Sequence, residues 1–387
     1  MVFMTMATKQ EVIREFFKQY LETSKEGKGK ILDHLEVIVG FERKSIIRRL
    51  KVLQMRRPAY WSDGRGRPVY YTHDVITALK DVWEISEFLC GERLHPILPE
   101  YVTILRRDRM WIHSDEATDK LLDMSLGTMK DKIALFEKVL IGGGRSLTKP
   151  SHLKEIIPVR RGPWNNPLPG NGEIDTVAHC GNTVEGLFGY TVQYTDVATC
   201  WNLLEAQMGK DKQETLQSIK VMRDRLPFPL LGLDPDSGSE FINWNTKDWC
   251  LENKIDLTRI RPGHKNDHGR IEQKNDKNVR KFSGYIRIDT EDRLKILKQM
   301  TSVLEIYINH FLPSMRVTEK TRIGSRYQKR HDQAKTPYQR VMEHNQINPA
   351  IKKKLHKFHQ ILNPKILHDE ILRWRKLLFK DAKFYKV

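Results

Sequence analysis

Three carboxylates occupy places where an acid is unusual. Asp175 lies inside a run of strand formers, Gly172-Glu173-Ile174-Asp175-Thr176-Val177, and a carboxylate buried there without a partner is costly. Asp236 opens a Ser-Gly turn, Asp236-Ser237-Gly238-Ser239-Glu240-Phe241, after a short apolar run. Glu272 stands in Gly269-Arg270-Ile271-Glu272-Gln273-Lys274-Asn275, at the expected start of a helix, with 35 residues between it and Asp236. Acids that converge in a crevice repel one another unless a cation neutralises them. Mg2+ or Mn2+ suits such a set, because a hard cation takes carboxylate oxygens and keeps some of its water. Two such ions about 4 Å apart can activate an attacking oxygen and stabilise the leaving one in an in-line displacement at phosphorus. Each acid also has an ordinary explanation. A strand Asp is more often just hydrogen-bonded, Asp-Ser-Gly is usually a turn, and a Glu in a first helical turn often only complements the macrodipole. Other carboxylates compete. Asp234, before Pro235, reads as a turn residue, and Asp196 as the end of a strand. Glu173 shares a strand face with Asp175 and is a reserve ligand.

The elements that must position these acids alternate in a definite order. Residues 173–178 and 189–194 read as strands with a turn at Cys180-Gly181-Asn182, and 200–207 as a third strand. Residues 212–226 read as a helix, 230–233 as a short buried strand, 244–253 as a helix and 257–260 as a strand, with a long helix from Arg270. Three strands followed by alternating helix and strand describe a mixed α/β sheet.

In this order and spacing the chain resembles the retroviral-integrase-like DDE transposases, including bacterial insertion-sequence transposases with an integrase catalytic core. That family carries an Asp on its first strand, a second Asp opening a D-[NS]-G-x-x-F turn, and a Glu 35 residues later on a helix. Asp175, the Asp236-Ser237-Gly238 turn with Phe241, and Glu272 match those marks, and Asn275 matches an Asn common three positions after the Glu. The resemblance spans about residues 164–315 and is specific in combination. It implies an RNase H-like core and two Mg2+ or Mn2+ ions held by Asp175, Asp236 and Glu272. It also implies metal-dependent cleavage of DNA ends and their transfer to target DNA, without a covalent protein intermediate. A His-His-Cys-Cys zinc module of the retroviral kind is not seen at the N-terminus.

Composition agrees with a polyanionic partner. A formal charge of +18 over 387 residues favours nucleic acid, because each Lys or Arg near a phosphate displaces counterions; a generally basic soluble protein has the same charge. Residues 9–57 read as three helices, with apolar stripes at Val12, Phe16, Tyr20 and Leu21, at Ile31, Leu35 and Ile38, and at Ile46, Ile47, Leu50 and Leu53. Gly40 separates the second from the third, which carries Arg43, Lys44, Arg48 and Arg49. This pattern fits a helix-turn-helix with a basic recognition helix, and equally a small bundle with a solvated basic face. The turn-rich loop holding Arg65 and Arg67 can lie along phosphates or serve as a linker. A second, weaker helix-turn-helix pattern runs through Ala117, Leu121 and Met124–Lys130. Beside the acids, His264, Lys265 and His268 sit in a Gly-rich segment, and Lys274, Asn275, Lys277 and Arg280 follow Glu272. All are candidate DNA contacts, with a solvated face as the alternative for the last group.

The expected chain is multidomain, α plus α/β. It comprises a helix-turn-helix domain over 1–60, a second helical domain over 61–145, a linker over 146–163, the core over 164–315 and a basic, mainly helical region over 316–387. Pairing two DNA ends calls for at least a dimer when DNA is bound. The cysteines at 90, 180, 200 and 250 form no CxxC pair and read as reduced thiols. No apolar run reaches the length of a membrane span, and the N-terminus turns charged too early for a signal peptide, so a cytoplasmic protein is expected. An RNase H-fold nuclease without strand transfer, and a non-catalytic DNA-binding regulator derived from such an enzyme, remain the alternative functions.

Overall fold

The computed structural model describes residues 6–55, 70–137, 168–235, 238–259, 275–323 and 326–380. The chain divides into two compact units, Met1–Tyr70 and Tyr71–Val387.

The first unit is the helical trio expected at the N-terminus: α1 (Met6–Glu22), α2 (Lys25–Val39) and α3 (Arg43–Gln54). Its core is Ile13, Ile31, Leu32, Leu35, Val39, Ile46 and Leu50. Leu21 and Ile47, expected to face inward, are exposed; Ile13 takes the place of the former in the core. Ser24 caps α2, accepting from the Gly27 amide at 3.4 Å. Gly40 ends α2 at φ +65°, donating to the Glu36 carbonyl, a left-handed cap that a residue with a Cβ adopts only at a cost. Only Gly40, Phe41 and Glu42 separate α2 from α3, a short glycine-containing turn.

The second unit opens with α4 (His73–Ile85), α5 (Gly91–Arg107), α6 (Asp115–Leu122) and α7 (Leu126–Glu137). A five-stranded sheet follows, built from β1 (Asn171–Ala178), β2 (Gly189–Asp196), β3 (Asn202–Met208), β4 (Gly232–Pro235) and β5 (Asp256–Leu257) in the order β3-β2-β1-β4-β5. The first three strands are antiparallel neighbours, whereas β4 lies parallel to both β1 and β5. The expected mixed sheet is therefore present, and β1 is its central strand. Helices α8 (Lys212–Arg225) and α9 (Trp244–Glu252) supply the crossovers that parallel strands need.

Period-two alternation divides the sheet residues between two cores. Ile174, Val192, Tyr194, Leu203 and Leu233 pack with Ile219 and Met222 of α8 and Trp249 of α9. On the opposite face, Val177, Leu204 and Ala206 share one cluster with the long helix Glu291–Phe311, with α4–α7, and with the last helix, Pro364–Phe379. Helices on both faces explain why strands β2 and β3 are almost wholly buried.

One expectation changes and one, the mainly helical C-terminal region, gains a strand pair. The long helix expected from Arg270 is, over its described part, a π-helix at Asn275–Arg280 running into the short α10 (Lys281–Ser283). Gly284 stops it at φ +62°, and the long helix is α11 (Glu291–Phe311). The basic C-terminal region is not purely helical. A two-stranded ribbon, β6 (Val317–Ile323) with β7 (Arg326–His331), precedes α12 (Pro337–Glu343), α13 (Pro349–Ile361) and α14 (Pro364–Phe379). Its signal was the Gly324-Ser325 pair between alternating residues, obscured because charges rather than apolar groups alternate there.

His179, one residue beyond β1, is fully buried with its Nε2 2.8 Å from the Thr191 hydroxyl. Burial, with a smaller contribution from Arg280, lowers its pKa to about 3. The folded protein thus keeps this ring neutral, while the unfolded chain protonates it below about pH 6.5. Stability from this group is complete above that pH and declines as pH falls toward the folded value, by up to about 1.4 kcal/mol per unit. A His179→Gln protein is expected to lose stability less steeply between pH 6 and pH 4 than the parent. Urea titrations at both pH values check this, and identical slopes would refute it.

Candidate active site

Asp175 sits near the carboxyl end of the central strand, half-buried. It lies on the face that carries Val177 and, beyond the strand end, His179. The Thr176 amide donates to its Oδ1 at 2.7 Å. The Asn275 amide nitrogen donates to its Oδ2 at 2.6 Å. Asn275 is three residues past Glu272 in the sequence, so this bond ties the segment following the third acid to the first. The β1–β4 register pairs Ile174 with Pro235, the residue immediately before Asp236. Asp236 and Glu272 themselves lie outside the described residues, as do Arg65, Arg67, His264, Lys265, His268 and Lys274, and the side chain of Lys277.

The π-helical segment is held to the sheet by polar contacts. Asn278, buried, donates to Asn202 Oδ1 at 3.1 Å. The same oxygen accepts from Thr195 Oγ1 at 3.0 Å and from Gln193 Nε2 at 3.4 Å, and Gln193 is the register partner of Asp175. Asn202 is locked in turn by Asn309 of α11, through its backbone amide at 2.8 Å and its carbonyl at 2.7 Å. A buried network satisfied this way fixes one arrangement. Asn278 was not among the sequence-derived candidates; its i,i+3 spacing from Asn275 was the available signal. Glu240, a buried acid, was likewise not a sequence-derived candidate; it accepts from the Thr176 hydroxyl at 3.4 Å, on the strand face opposite Asp175.

The competing acids have structural roles. Asp234 is not a turn residue: it lies in β4, fully buried, and its Oδ1 accepts from Thr258 Oγ1 at 2.6 Å. Asp196 does end β2. It accepts from the Gly170 amide at 2.7 Å and from the Thr199 amide and hydroxyl at 2.6 Å each, shaping the turn into Cys200 at φ +61°. Burial raises its pKa to about 6 despite those donors. Glu173 is buried, in register with Asp234 and Thr195.

Fitness for a divalent cation rests on what surrounds Asp175. Its own carboxylate oxygens are the ligand type that hard ions prefer, and the Thr176 and Asn275 N–H groups hold them in place. Asn275 Oδ1 is buried and has no hydrogen-bond partner among the described residues, an acceptor suited to a metal-held water. Among the described residues, His, Cys, Asp and Glu form no group of three placed to bind a metal; a site here needs Asp236 and Glu272.

The basic residues of α3 divide in two. Arg43 is half-buried and spent inside the module, bonded to Asp33 and, at 3.3 Å, to the Gly29 carbonyl. Arg49 lies 4.5 Å over the Phe41 ring. Lys44 and Arg48 are exposed. Arg280, in the second unit, lies 4.9 Å over the Tyr285 ring. In the other helix pair, Ser125 caps α7 through the Thr128 amide at 3.3 Å, while Lys130 pairs with Glu92 at 2.6 Å. If α3 reads bases, Arg48→Ala is expected to weaken binding to a preferred duplex about tenfold more than to random duplex. Equal weakening of both, in a gel-shift titration, would reduce Arg48 to a phosphate contact.

No protein-family model matches the chain. It is 35% identical over 329 residues, 84% of its length, to the uncharacterized protein y4rM of Sinorhizobium fredii, covering 93% of that protein. The chain belongs to the family of that protein. Among solved structures it is similar to the catalytic core domain of HTLV-2 integrase in complex with magnesium, at 13% identity over 39% of this chain and 93% of that one. The TM-score is 0.30, too low to assign fold or activity. Among the described residues no helix is long and apolar enough to cross a membrane, and all four cysteines are free.

Proposed function

We propose that this protein is a DDE-type DNA transposase that cleaves the ends of a mobile element and joins them to target DNA. The observation that carries the reading is the Asn275–Asp175 hydrogen bond. It joins the segment that follows Glu272 to the central strand, whose parallel neighbour β4 leads directly into Asp236. Support also comes from the mixed sheet around β1, from the buried, unpartnered Asn275 Oδ1 beside Asp175, and from the sequence resemblance over residues 164–315.

In this reading Asp175, Asp236 and Glu272 hold two Mg2+ or Mn2+ ions. Bound there, the ions would lower the pKa of an attacking water or 3′-hydroxyl and neutralise charge on the leaving oxygen. The protein's own groups do the rest. Asn275 and the Thr176 amide orient the Asp175 carboxylate, and the Asn278–Asn202 network holds the segment after Glu272 against the sheet. Residues 1–60 read element ends through Lys44 and Arg48. Residues 61–145 supply helices, 146–163 a linker and 164–315 the RNase H-like core, with α4–α7 packed in one unit with that core. Arg65, Arg67, His264, Lys265, His268, Lys274, Lys277 and Arg280 contact phosphates. Two copies bring two ends together on DNA in the cytoplasm.

The test is an in vitro reaction of purified full chain with duplexes carrying the element ends, supercoiled target plasmid and Mg2+. Joined products establish the transposase. Nicking without joining would reduce it to a nuclease, and binding with neither would leave a regulator.

A further inference from the structure

Among its described residues the ribbon formed by β6 and β7 has no buried side chain. Every ribbon residue whose burial is described is exposed: Val317, Thr318, Glu319, Thr321, and Gln328 through His331. An isolated two-stranded ribbon is marginal in water. Yet its base is built rigidly. Asp332 accepts from the Arg316 amide at 2.6 Å and from Arg340 Nη1 at 2.7 Å, and buried Arg340 also donates to the Ser314 carbonyl at 2.7 Å. Arg316 reaches the Ala198 carbonyl at 2.7 Å, beside the turn that follows β2. A further backbone bridge joins Ser314 to Lys335.

The charge on the ribbon is one-sided. Residues 317–331 contain five Lys or Arg and one Glu. That Glu319 is in register with Arg330 and pairs with it at 3.5 Å. The alternate positions carry no acid: Lys320 is in register with Lys329, and Arg322 with Tyr327. Like charges directly opposite across an antiparallel pair are unfavourable. A polyanion lying against such a row relieves that repulsion.

We infer that the β6–β7 ribbon is a DNA-binding arm that seats the Lys320, Arg322 and Lys329 face in the major groove of duplex DNA. The major groove of B-form DNA, about 12 Å wide, admits a two-stranded ribbon; the deep, narrow major groove of A-form RNA does not. The partner is the DNA of the proposed reaction, so the inference rests on that reading, but it concerns binding and not chemistry.

The experiment uses the full chain in EDTA with a duplex of arbitrary sequence, titrated across salt concentrations. The Lys320→Ala, Arg322→Ala, Lys329→Ala triple variant is expected to bind at least about tenfold more weakly, with the salt slope reduced by about 2–3. The charge-keeping variant Lys320→Arg, Arg322→Lys, Lys329→Arg is expected to bind as the parent does, which separates lost charge from a lost fold. Arg330→Ala, on the opposite face, is expected to change binding less than about twofold. Duplex RNA of the same sequence should compete poorly. An unchanged triple variant, or an Arg330→Ala loss as large as the triple loss, would overturn the ribbon's role and leave the catalytic reading standing. RNA competing equally would overturn the groove assignment. A parent chain that binds no duplex at all would overturn both.

Discussion

A protein carrying Asp175→Asn is expected to bind element-end DNA as the parent does and to cut none of it, with cleavage and joining reduced by at least about 10³-fold. Asn matches Asp in size and leaves an oxygen for the Asn275 amide now 2.6 Å from Oδ2, so the sheet and its buried network should persist. What disappears is the negative charge that a divalent cation requires. Asp236→Asn and Glu272→Gln should behave alike, because removing one member of a unit that acts together abolishes most of its effect. End-labelled duplex in a cleavage gel, with binding measured in parallel by gel shift, separates the two quantities. Cleavage retained by Asp236→Asn would end the triad assignment, even if Asp175→Asn were inactive. In that event Glu173, which shares the strand face of Asp175, would be the next acid to test.

The second large effect concerns the cation. Full activity is expected in Mg2+ or Mn2+, very little in Ca2+ and none in EDTA. Mg2+ demands near-octahedral oxygen geometry at about 2.1 Å, whereas Ca2+ takes more ligands at about 2.3–2.6 Å in looser arrangements. An in-line displacement tolerates little of that looseness. A second readout does not depend on turnover: Mg2+ should raise the thermal midpoint of the parent, because a ligand that binds only the folded state stabilises it. The rise should be absent in Asp175→Asn. Activity that persists in EDTA, or a midpoint equally raised in both proteins, would dismiss the metal site.

The sequence by itself determined what depends on local chemistry and on order along the chain. The helix periods of residues 6–54 survive folding because each stripe needs only its two neighbours, and Gly40 stops α2 where a left-handed cap is required. The β1, β2 and β3 segments were legible from strand formers and turns, since all three pair through short connections. Asp175 was legible because an acid among strand formers needs a reason to be there.

Tertiary structure decided the rest. The parallel pairing that sets Ile174 beside Pro235 joins segments 61 positions apart, and no local pattern encodes that register. Asp234 looked like a turn residue because Pro follows it. The β4 strand buries it instead, and a hydroxyl from Thr258 meets the cost. The helix expected after Arg270 is π-helical over Asn275–Arg280, where Asn275 and Asn278 both bond to the sheet. Arg43 read as a free cation on a basic helix until the fold set Asp33 against it. In each case the deciding partner is remote in sequence, and a hydrogen bond or ion pair made only on folding outweighs the local preference.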